Sequence, residues 1–446
     1  MTFAKIEGAL SKIESIDRNG YKLNSVLAVS KDLQFNESEG PLAGVPVLIK
    51  DNIEAIGLPA TAGSLALQDT EVIRDSTIAK RLRAAGATII GSTNLSEWAN
   101  IRSGKSTSGW SAVGGLTANP WKHSHSAGGS SSGSGAAVGS GIVTMAVGSE
   151  TDGSIVCPAS LNGCVGVKPT VGSIPRDAMI PISASQDTPG PMAQTVAQAA
   201  ALLDVLTNKN IYTKAINSED SLRIAVVKEW VTEDEGTNQL FAELLTKLSI
   251  SHIKISEISL PAPTDQDGTS EFQVLMHELN EDLATYLSGR AGSRIRSLSD
   301  VVKFNIENES EEMQYFGQEF FEQALELGGR NASYKKLRSE NLDWAINRVL
   351  NPGLADFDIL IGQTYSPAWK SNLGGGDDYS SASWISMAPA IAGTPIGCLP
   401  MGLVDGLPVG VGVVSRANEE EKLVSAMAQI ERVLGLGVLI PTFIKN

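Results

Sequence analysis

The stretch that most restricts how this chain can fold is AGGSSSGSGAAVGSG, residues 127–141, in which all side chains but one belong to glycine, serine or alanine. Flexible linkers have a similar composition. This stretch, however, lies between strand-like segments and runs directly into the apolar IVTMAV, residues 142–147. Its small residues would allow a helix to pack closely on a sheet, so we interpret it as a packed element. A phosphate-binding loop is disfavoured, because no lysine follows the glycines.

Short apolar runs alternate with helical patterns along most of the 446 residues. The predicted strands lie at 45–49, 87–95, 142–147, 222–227, 356–362 and 408–414. One helix is predicted after Ser76, a candidate N-cap, another over residues 193–207, and a third at Leu423–Leu434. This alternation predicts an α/β fold in which helices cover both faces of a large mixed sheet.

Residues 270–350 have a different character. Leu275, Leu279 and Leu283 keep helical spacing, and acidic helical segments follow them as far as Leu350. Because no strand pattern interrupts this region, we predict a helical insertion or cap on the sheet.

The net charge of −15 limits the kinds of partner. Nucleic-acid binding requires clustered lysine and arginine, so a nucleic-acid partner is disfavoured, as is an anionic membrane surface. No apolar stretch reaches the roughly 20 residues needed to span a bilayer. The N-terminus lacks the apolar run of a secretory signal. We therefore expect a cytoplasmic protein, although a leader removed from the sequence is left open.

The cysteines give little sign of a disulfide or metal framework. The chain has only three cysteines, Cys157, Cys164 and Cys398. This number is small for the length of the chain, and because it is odd the cysteines cannot all pair with one another. No CxxC pair or Cys/His ligand set occurs, so a zinc site is not expected. We predict that neither a metal nor an organic cofactor is needed.

The clearest candidate for chemistry is GSETDGSIVCPASLNGCVGVKPT, residues 148–170. A turn through Thr151, Asp152 and Gly153 can aim successive backbone N–H groups at one point, where an oxyanion could be held. Ser154 would then sit beside that point, in the position of a nucleophile.

A serine nucleophile needs a base, and the sequence alone offers several. His123 and His125 lie in a polar loop, whereas His252 and His277 lie in segments with no other catalytic signal. Lys50 ends the apolar run VPVLIK, with Asp51 as the one obvious carboxylate nearby. Burial would lower the lysine pKa and let it accept a proton. Taken alone, Lys50 could equally be an exposed lysine at the end of a strand.

Three motifs together resemble the amidase signature family. They are GVPVLIKDN, AGGSSSGSGAAV and residues 148–170, and they occur in the family's order. Ser154 follows Ser130 by 24 residues and Lys50 by 104, which agrees with the spacing of the family's catalytic residues. The resemblance covers residues 40–205 and 355–435, so it implies one amidase domain, residues 1–446, with these two stretches as its core.

The resemblance assigns a role to each matching residue. Ser154 is implied as the nucleophile, Ser130 as the bridging serine and Lys50 as the base. The peptide bond Gly129–Ser130 is implied to be cis, and Ser131 to support the network. The implied oxyanion hole consists of the backbone N–H groups of Thr151, Asp152, Gly153 and Ser154.

Three positions depart from the family pattern. Glu150 stands where the pattern has aspartate, which keeps a carboxylate but lengthens its reach. Val156 stands where the pattern has arginine, so the surrounding charge network must differ. Cys157 occupies a position at which malonamidase-like members carry a carboxylate-binding arginine, which disfavours a malonamate-type substrate.

Within the family, residues 106–120 and 181–192 and the TDGSIVCPA block are most similar to bacterial peptide amidases. This similarity implies release of ammonia from the C-terminal carboxamide of a small-molecule or peptide amide through an acyl-enzyme. Independently of it, we expect a monomer or a homodimer. Two alternatives stay open. The enzyme could act on aryl, acyl or short aliphatic amides, or it could be the amidase component of a glutamyl-tRNA amidotransferase. A non-catalytic scaffold is disfavoured, because all three catalytic residues are present.

Overall fold

A computed structural model of the chain describes residues 2–31, 33, 39–218, 221–251, 253–441 and 443. Its dominant element within these residues is an 11-stranded sheet. In chain order the strands are β1 (Val26–Val29), β2 (Pro46–Lys50), β3 (Thr88–Thr93), β4 (Trp110–Ser111), β5 (Gly115–Leu116), β6 (Met145–Glu150), β7 (Val165–Lys168), β8 (Thr188–Ala193), β9 (Arg223–Val227), β10 (Lys254–Ile258), β11 (Ile359–Gln363), β12 (Ile396–Val404) and β13 (Leu407–Val414). Strands β4 and β5 form a separate two-stranded sheet.

The large sheet has the order β1-β3-β2-β6-β8-β7-β12-β13-β11-β9-β10. Strand β2 runs parallel to both β3 and β6, and β9 runs parallel to both β10 and β11. The remaining neighbours pair antiparallel. The sheet is therefore mixed, as predicted.

The α-helices are α1 (Thr2–Lys12), α2 (Thr77–Ala84), α3 (Ser132–Gly139), α4 (Val156–Asn162), α5 (Val196–Thr207), α6 (Tyr212–Ala215), α7 (Glu235–Ile250), α8 (Asp265–Ser288), α9 (Leu298–Glu307), α10 (Glu309–Glu312), α11 (Glu319–Leu327), α12 (Ala332–Leu342), α13 (Asn351–Leu354), α14 (Met387–Ala392) and α15 (Glu420–Leu434). Helix α1 continues as a π-helical segment over Ile13–Asn19, and α12 continues as another over Asp343–Leu350. Short 3₁₀ turns occur at Leu65–Leu67 and Glu97–Asn100. None of the described helices is both long and apolar enough to cross a lipid bilayer.

The helices lie on both faces of the sheet, which confirms the predicted architecture. Side chains of α2, α5, α7 and α15 pack on one face, and those of α1, α3, α4 and α14 pack on the other. Alternation along β2 divides its residues between the two cores. Val47 and Ile49 join the first core, whereas Leu48 joins the second. Lys50 lies two residues after Leu48 and therefore on the same face of the strand, so its side chain points towards the face of the sheet that α3 covers.

The predicted helical region is present between β10 and β11, where α8 to α13 follow one another. Leu275, Leu279 and Leu283 of α8 are buried in a third apolar cluster, together with Trp98 and Ile182. Their spacing of four residues places them on one side of the helix, as the pattern predicted. The division of the chain into a core and an insertion within a single domain stays a prediction.

The predictions of local structure need correction at several places. The helix predicted over residues 193–207 begins only at Val196, because Ala193 still pairs with Met145 as the last residue of β8. The strand predicted over residues 142–147 begins only at Met145, because the N–H groups of Ile142 and Val143 bond to Ala137 O at the end of α3. Strand β8, with the sequence TPGPMA, is not predicted at all. Proline lacks a backbone donor and argues against a central strand. The prediction of Ser76 as an N-cap is confirmed, since its side chain accepts a hydrogen bond from Ala79 N.

Candidate active site

Lys50 is the last residue of β2, and its side chain is completely buried. Its Nζ donates to Ser130 Oγ at 2.7 Å, to Ser149 Oγ at 3.0 Å and to Ser149 O at 3.3 Å. Asn52 Nδ2 also donates to Ser149 Oγ, at 2.9 Å. The ammonium group is therefore held in place by oxygen atoms of two serines, and Ser130 is the closer of them.

Burial lowers the pKa of Lys50 to about 7, although the negative charges of Asp187 and Glu150 act in the opposite direction. A lysine with this pKa is neutral in a large fraction of molecules near neutral pH. The side chain can then accept a proton from the hydroxyl group that it contacts.

The carboxylates near Lys50 differ from those that the sequence suggests. Asp51 accepts hydrogen bonds from the backbone N–H and the hydroxyl group of Thr61, so it is occupied elsewhere. The charges that act on Lys50 come instead from Glu150 and Asp187. Asp51 thus points away from Lys50, as expected for the next residue of a strand, whereas the expectation that no other carboxylate lies near the lysine is wrong.

Ser130 stands just before α3, and the peptide bond Gly129–Ser130 is cis, as the family resemblance implies. The small residues of α3 permit a close approach to its neighbours. A Cβ atom on Gly133 would lie 2.2 Å from Ser25 O, and one on Gly139 would lie 2.3 Å from Asn162 O. Both distances are far below van der Waals contact. The interpretation of this stretch as a closely packed helix is confirmed.

Ser131 connects the entry of α3 to the end of β6 and to Ser154. Its Oγ donates to Ser149 O at 2.9 Å and accepts from Ser149 N at 3.1 Å. Its backbone N–H donates to Ser154 O at 3.1 Å. Ser131 thus fixes the spacing between the segments that carry Ser130 and Ser154.

Residues 151–154 form a turn between β6 and α4, which we call the oxyanion turn after the role that the family resemblance implies for it. Gly153 has a φ of +73°, and a Cβ there would lie 2.7 Å from the Tyr365 hydroxyl oxygen, so both conformation and space favour glycine. Glu150 Oε2 accepts from Ile155 N at 2.7 Å and from Val156 N at 2.9 Å. These bonds connect the two ends of the turn, which accounts for a carboxylate at position 150.

Lys168 is a second buried lysine that sequence reasoning missed. It ends β7, and its Nζ donates to Thr394 O at 2.7 Å. Burial lowers its pKa to about 8, against the opposing charges of Glu150 and Asp152. This cation lies near Glu150 in a chain that lacks the arginine usual at position 156. The signal in the sequence is the same as for Lys50, namely a lysine at the end of an apolar strand.

The oxyanion turn, Ser130 and Ser154 line one cavity of about 420 Å³. The cavity wall is mainly apolar and aromatic, and it includes Ile101, Cys157, Ile182, Leu275, Tyr365, Tyr379, Trp384 and Met387. Lys50 is absent from this lining, since it lies behind Ser130. Among the described lining residues there is no lysine, arginine or histidine.

The described histidines lie away from this cavity. His123 packs edge-on against Tyr21, with ring centroids 5.2 Å apart. His277 is buried in α8, where its Nδ1 lies 2.7 Å from Gly329 O. His125 pairs with Lys370 through a β-bridge. His252 lies outside the described residues.

Comparison with known proteins gives consistent matches over nearly the whole chain. A profile of the family named Amidase matches residues 7–424, a range that includes Lys50, Ser130 and Ser154. The solved structure of native peptide amidase from Stenotrophomonas maltophilia is 36% identical, with a TM-score of 0.92, and the match covers 99% of this chain and 95% of that one. A glutamyl-tRNA(Gln) amidotransferase component from Methanococcoides burtonii is 32% identical over an alignment of 454 positions, gaps included, which covers 96% of this chain and 93% of that protein. A putative amidase of Schizosaccharomyces pombe is 31% identical over an alignment of 466 positions, gaps included, which covers 92% of this chain and 78% of that protein.

Proposed function

Because this chain belongs to the amidase signature family and is an amide hydrolase that acts on C–N bonds, we propose that it converts C-terminal peptide carboxamides into carboxylates and ammonia. The observation that carries this proposal is the mainly apolar cavity above Ser130 and Ser154, which contains no cationic side chain among its described lining residues. Similarity to the Stenotrophomonas peptide amidase over 99% of this chain supports the same substrate class.

Acylation begins with a neutral Lys50, which takes a proton from Ser130 across the 2.7 Å contact. Ser130 in turn takes the proton of Ser154, whose Oγ attacks the carbon of the carboxamide. Negative charge develops on the amide oxygen. The backbone N–H groups of Thr151, Asp152, Gly153 and Ser154 stabilise this oxyanion.

The proton then returns from Lys50 through Ser130 to the departing nitrogen, and the C–N bond breaks. Ammonia leaves, and the acyl group stays as an ester on Ser154. A water molecule attacks this ester after giving a proton to the same relay. The relayed proton then passes from Lys50 through Ser130 to Ser154, and a carboxylic acid leaves, whose own proton is taken up by ammonia in solution. This restores the Ser154 hydroxyl and neutral Lys50, so each cycle consumes one water molecule and needs no cofactor.

The charges around the cavity favour neutral acyl groups. A substrate that carries a carboxylate next to the scissile amide would enter a site with no cationic side chain among the described lining residues. Desolvation of such an anion without a partner is unfavourable. Asp152 in the same lining would add repulsion. We therefore expect peptide amides with uncharged C-terminal side chains to be better substrates than free glutamine and malonamate.

Peptide amides should be converted into peptide acids with no shorter products. The reason is that ammonia is a small leaving group. Cleavage of an internal peptide bond would instead release a peptide, which would have to fit against the cavity wall opposite the acyl group. The measurement is mass spectrometry of peptide amides before and after incubation, with the corresponding peptide acids as matched controls. Fragments from internal cleavage would contradict the proposal.

A second candidate function rests on the 32% identity with the Methanococcoides glutamyl-tRNA(Gln) amidotransferase component over 96% of this chain. An enzyme of that kind would pass ammonia to a partner protein. An ammonia-release screen over peptide amides, aryl amides, short aliphatic amides and glutamine distinguishes the candidates. Preference for glutamine together with copurification of a partner would favour the second.

Chelation should leave the activity unchanged. Within the described part of the chain, no group of three or more histidine, cysteine, aspartate or glutamate side chains is placed to hold a metal ion. The proposed relay uses protein groups alone. The measurement is ammonia release after prolonged dialysis against a chelator, with a zinc-dependent hydrolase as the positive control. Loss of activity that added zinc or manganese restores would overturn the mechanism.

A further inference from the structure

Two tyrosines of the cavity wall differ in what their hydroxyl groups contact. The Tyr379 hydroxyl donates to Asp377 Oδ2 at 3.0 Å and lies 3.4 Å from Ser108 Oγ, so the protein itself engages it. The Tyr365 hydroxyl forms no hydrogen bond with any residue in the described part of the chain. The two ring centroids are 6.5 Å apart, and both side chains line the cavity that contains Ser154.

The backbone around Tyr365 fixes the position of its ring. Tyr365 follows β11 closely and forms a β-bridge with Ala382. Thr364, just before it, bonds through its N–H to Gly410 O at 3.2 Å and through Oγ1 to Ser160 Oγ at 3.0 Å. The ring itself is buried in the second apolar core. The hydroxyl group is therefore in place before a substrate arrives, which keeps the entropic cost of a contact with it low.

The Tyr365 hydroxyl lies against the oxyanion turn, on the side of Gly153 from which a side chain would project. A Cβ atom on Gly153 would be 2.7 Å from the hydroxyl oxygen. At a φ of about −60° the N–H and Cα–Cβ bonds of a residue lie on the same side of the N–Cα bond. The φ of +73° at Gly153 turns them largely to opposite sides. The hydroxyl group is thus turned away from the Gly153 N–H and from the oxyanion that this N–H is proposed to stabilise.

A hydroxyl group in a mainly apolar wall is best satisfied by a polar atom of the substrate. Burial holds the pKa of Tyr365 well above its usual value of 10, so the group stays protonated and can donate. In a peptide amide, the next acceptor along the backbone after the scissile carboxamide is the carbonyl oxygen of the preceding peptide unit. A simple amide has no such acceptor.

We propose that the Tyr365 hydroxyl donates a hydrogen bond to the peptide carbonyl oxygen that precedes the C-terminal residue of the substrate. Tyr365 is then a specificity-determining residue that selects peptide amides over simple amides. With a simple amide bound, its hydroxyl group would be left without a partner, and a site built to hydrogen-bond a substrate discriminates against analogues that lack the matching group. This inference rests on the proposed function and names the part of the substrate that is recognised.

The kinetic test compares Tyr365→Phe with the wild type on two uncharged amides. N-acetyl-leucinamide carries the peptide unit, whereas isocaproamide keeps the isobutyl group and the carboxamide but lacks that unit. Tyr365→Phe should lower kcat/KM for N-acetyl-leucinamide about tenfold, the size expected for one neutral hydrogen bond, and should leave kcat/KM for isocaproamide within about twofold. Because phenylalanine keeps the ring and removes one oxygen atom, the fold should be unchanged.

Tyr379→Phe is the matched control, since its hydroxyl group is bonded to Asp377. It should change kcat/KM for the two amides by the same factor, so the preference for the peptide unit should be that of the wild type. The proposal fails if Tyr365→Phe affects both amides equally, because the hydroxyl group would then act on the chemistry that they share. It also fails if Tyr365→Phe affects neither.

A binding measurement separates this inference from the proposed function. Calorimetric titration of Ser154→Ala with N-acetyl-leucinamide gives a Kd without turnover, and adding Tyr365→Phe should raise that Kd about tenfold. If the Kd rises but the wild type releases no ammonia from this compound, the proposed function is wrong and the role of Tyr365 stands. If ammonia is released but the two Kd values are equal, the role of Tyr365 is wrong and the proposed function stands.

Discussion

Ser154→Ala should lower kcat by about 10⁴-fold or more, because it removes the atom that attacks the amide and leaves only the binding contribution of the site. The fold should be unaffected. Ser154 contributes its backbone oxygen to the bond from Ser131 N, and alanine retains that oxygen. The side chain faces the cavity, so the substitution removes little packing. The measurements are kcat for a peptide amide and the thermal unfolding midpoint of the variant and the wild type.

Ser140→Ala is a matched control, since Ser140 is a buried serine at the end of α3 that bonds to Ala137 O and does not line the cavity. It should retain activity. A covalent inhibitor directed at serine should label Ser154 in the wild type and should not label Ser154→Ala. Peptide mapping that places the label on another serine would contradict the assignment of the nucleophile.

Lys50→Ala should lower kcat/KM at neutral pH by about 10³-fold, the range expected for loss of a general base. In the wild type the base must be neutral to accept a proton, and the pKa of Lys50 is about 7. Activity should therefore fall as the pH drops below about 7, and the neutral fraction should then decrease about tenfold per pH unit. This acid limb should be absent from whatever activity Lys50→Ala retains. The measurement is the pH dependence of kcat/KM for both proteins.

Lys50→Arg separates a basic role from a purely electrostatic one. Arginine keeps a positive charge and can donate to Ser130, but its guanidinium stays protonated at any working pH. We expect no rescue relative to Lys50→Ala. Near-wild-type activity in Lys50→Arg would mean that the residue acts only as a charge, and another group would have to be the base.

Features of the fold and site that depend on local sequence were predictable. The run VPVLIK places a lysine at the end of a buried strand, and the small residues of 127–141 allow a closely packed helix. The spacing of Lys50, Ser130 and Ser154 fits a known catalytic set. Their catalytic roles stay predictions, whereas the 2.7 Å contact between Lys50 and Ser130 is a feature of the structure.

Contacts between distant parts of the chain were not predictable in the same way. Asp187 acts on Lys50 and binds Thr151, yet its own neighbours, Gln186 and Thr188, give no sign of this. Glu271 resembles any acidic residue of an amphipathic helix until the fold brings it to Gln186, whose Nε2 donates to it at 2.9 Å. Strand β8 was missed because two prolines oppose strand formation locally, while pairing with β6 along its whole length outweighs that preference.

The burial of Lys50 has a thermodynamic consequence for the whole molecule. Unfolding returns this side chain to water, where its pKa is 10.5. Between about pH 7 and pH 10.5 the unfolded chain therefore binds a proton that the folded chain does not, so this group makes stability rise with pH across that window. At pH 7 its burial opposes folding by on the order of 4 kcal/mol, a large part of the net stability of an ordinary domain. The rest of the core must offset this amount. Removal of Lys50 would make the fold more stable, but it would also remove the proposed base.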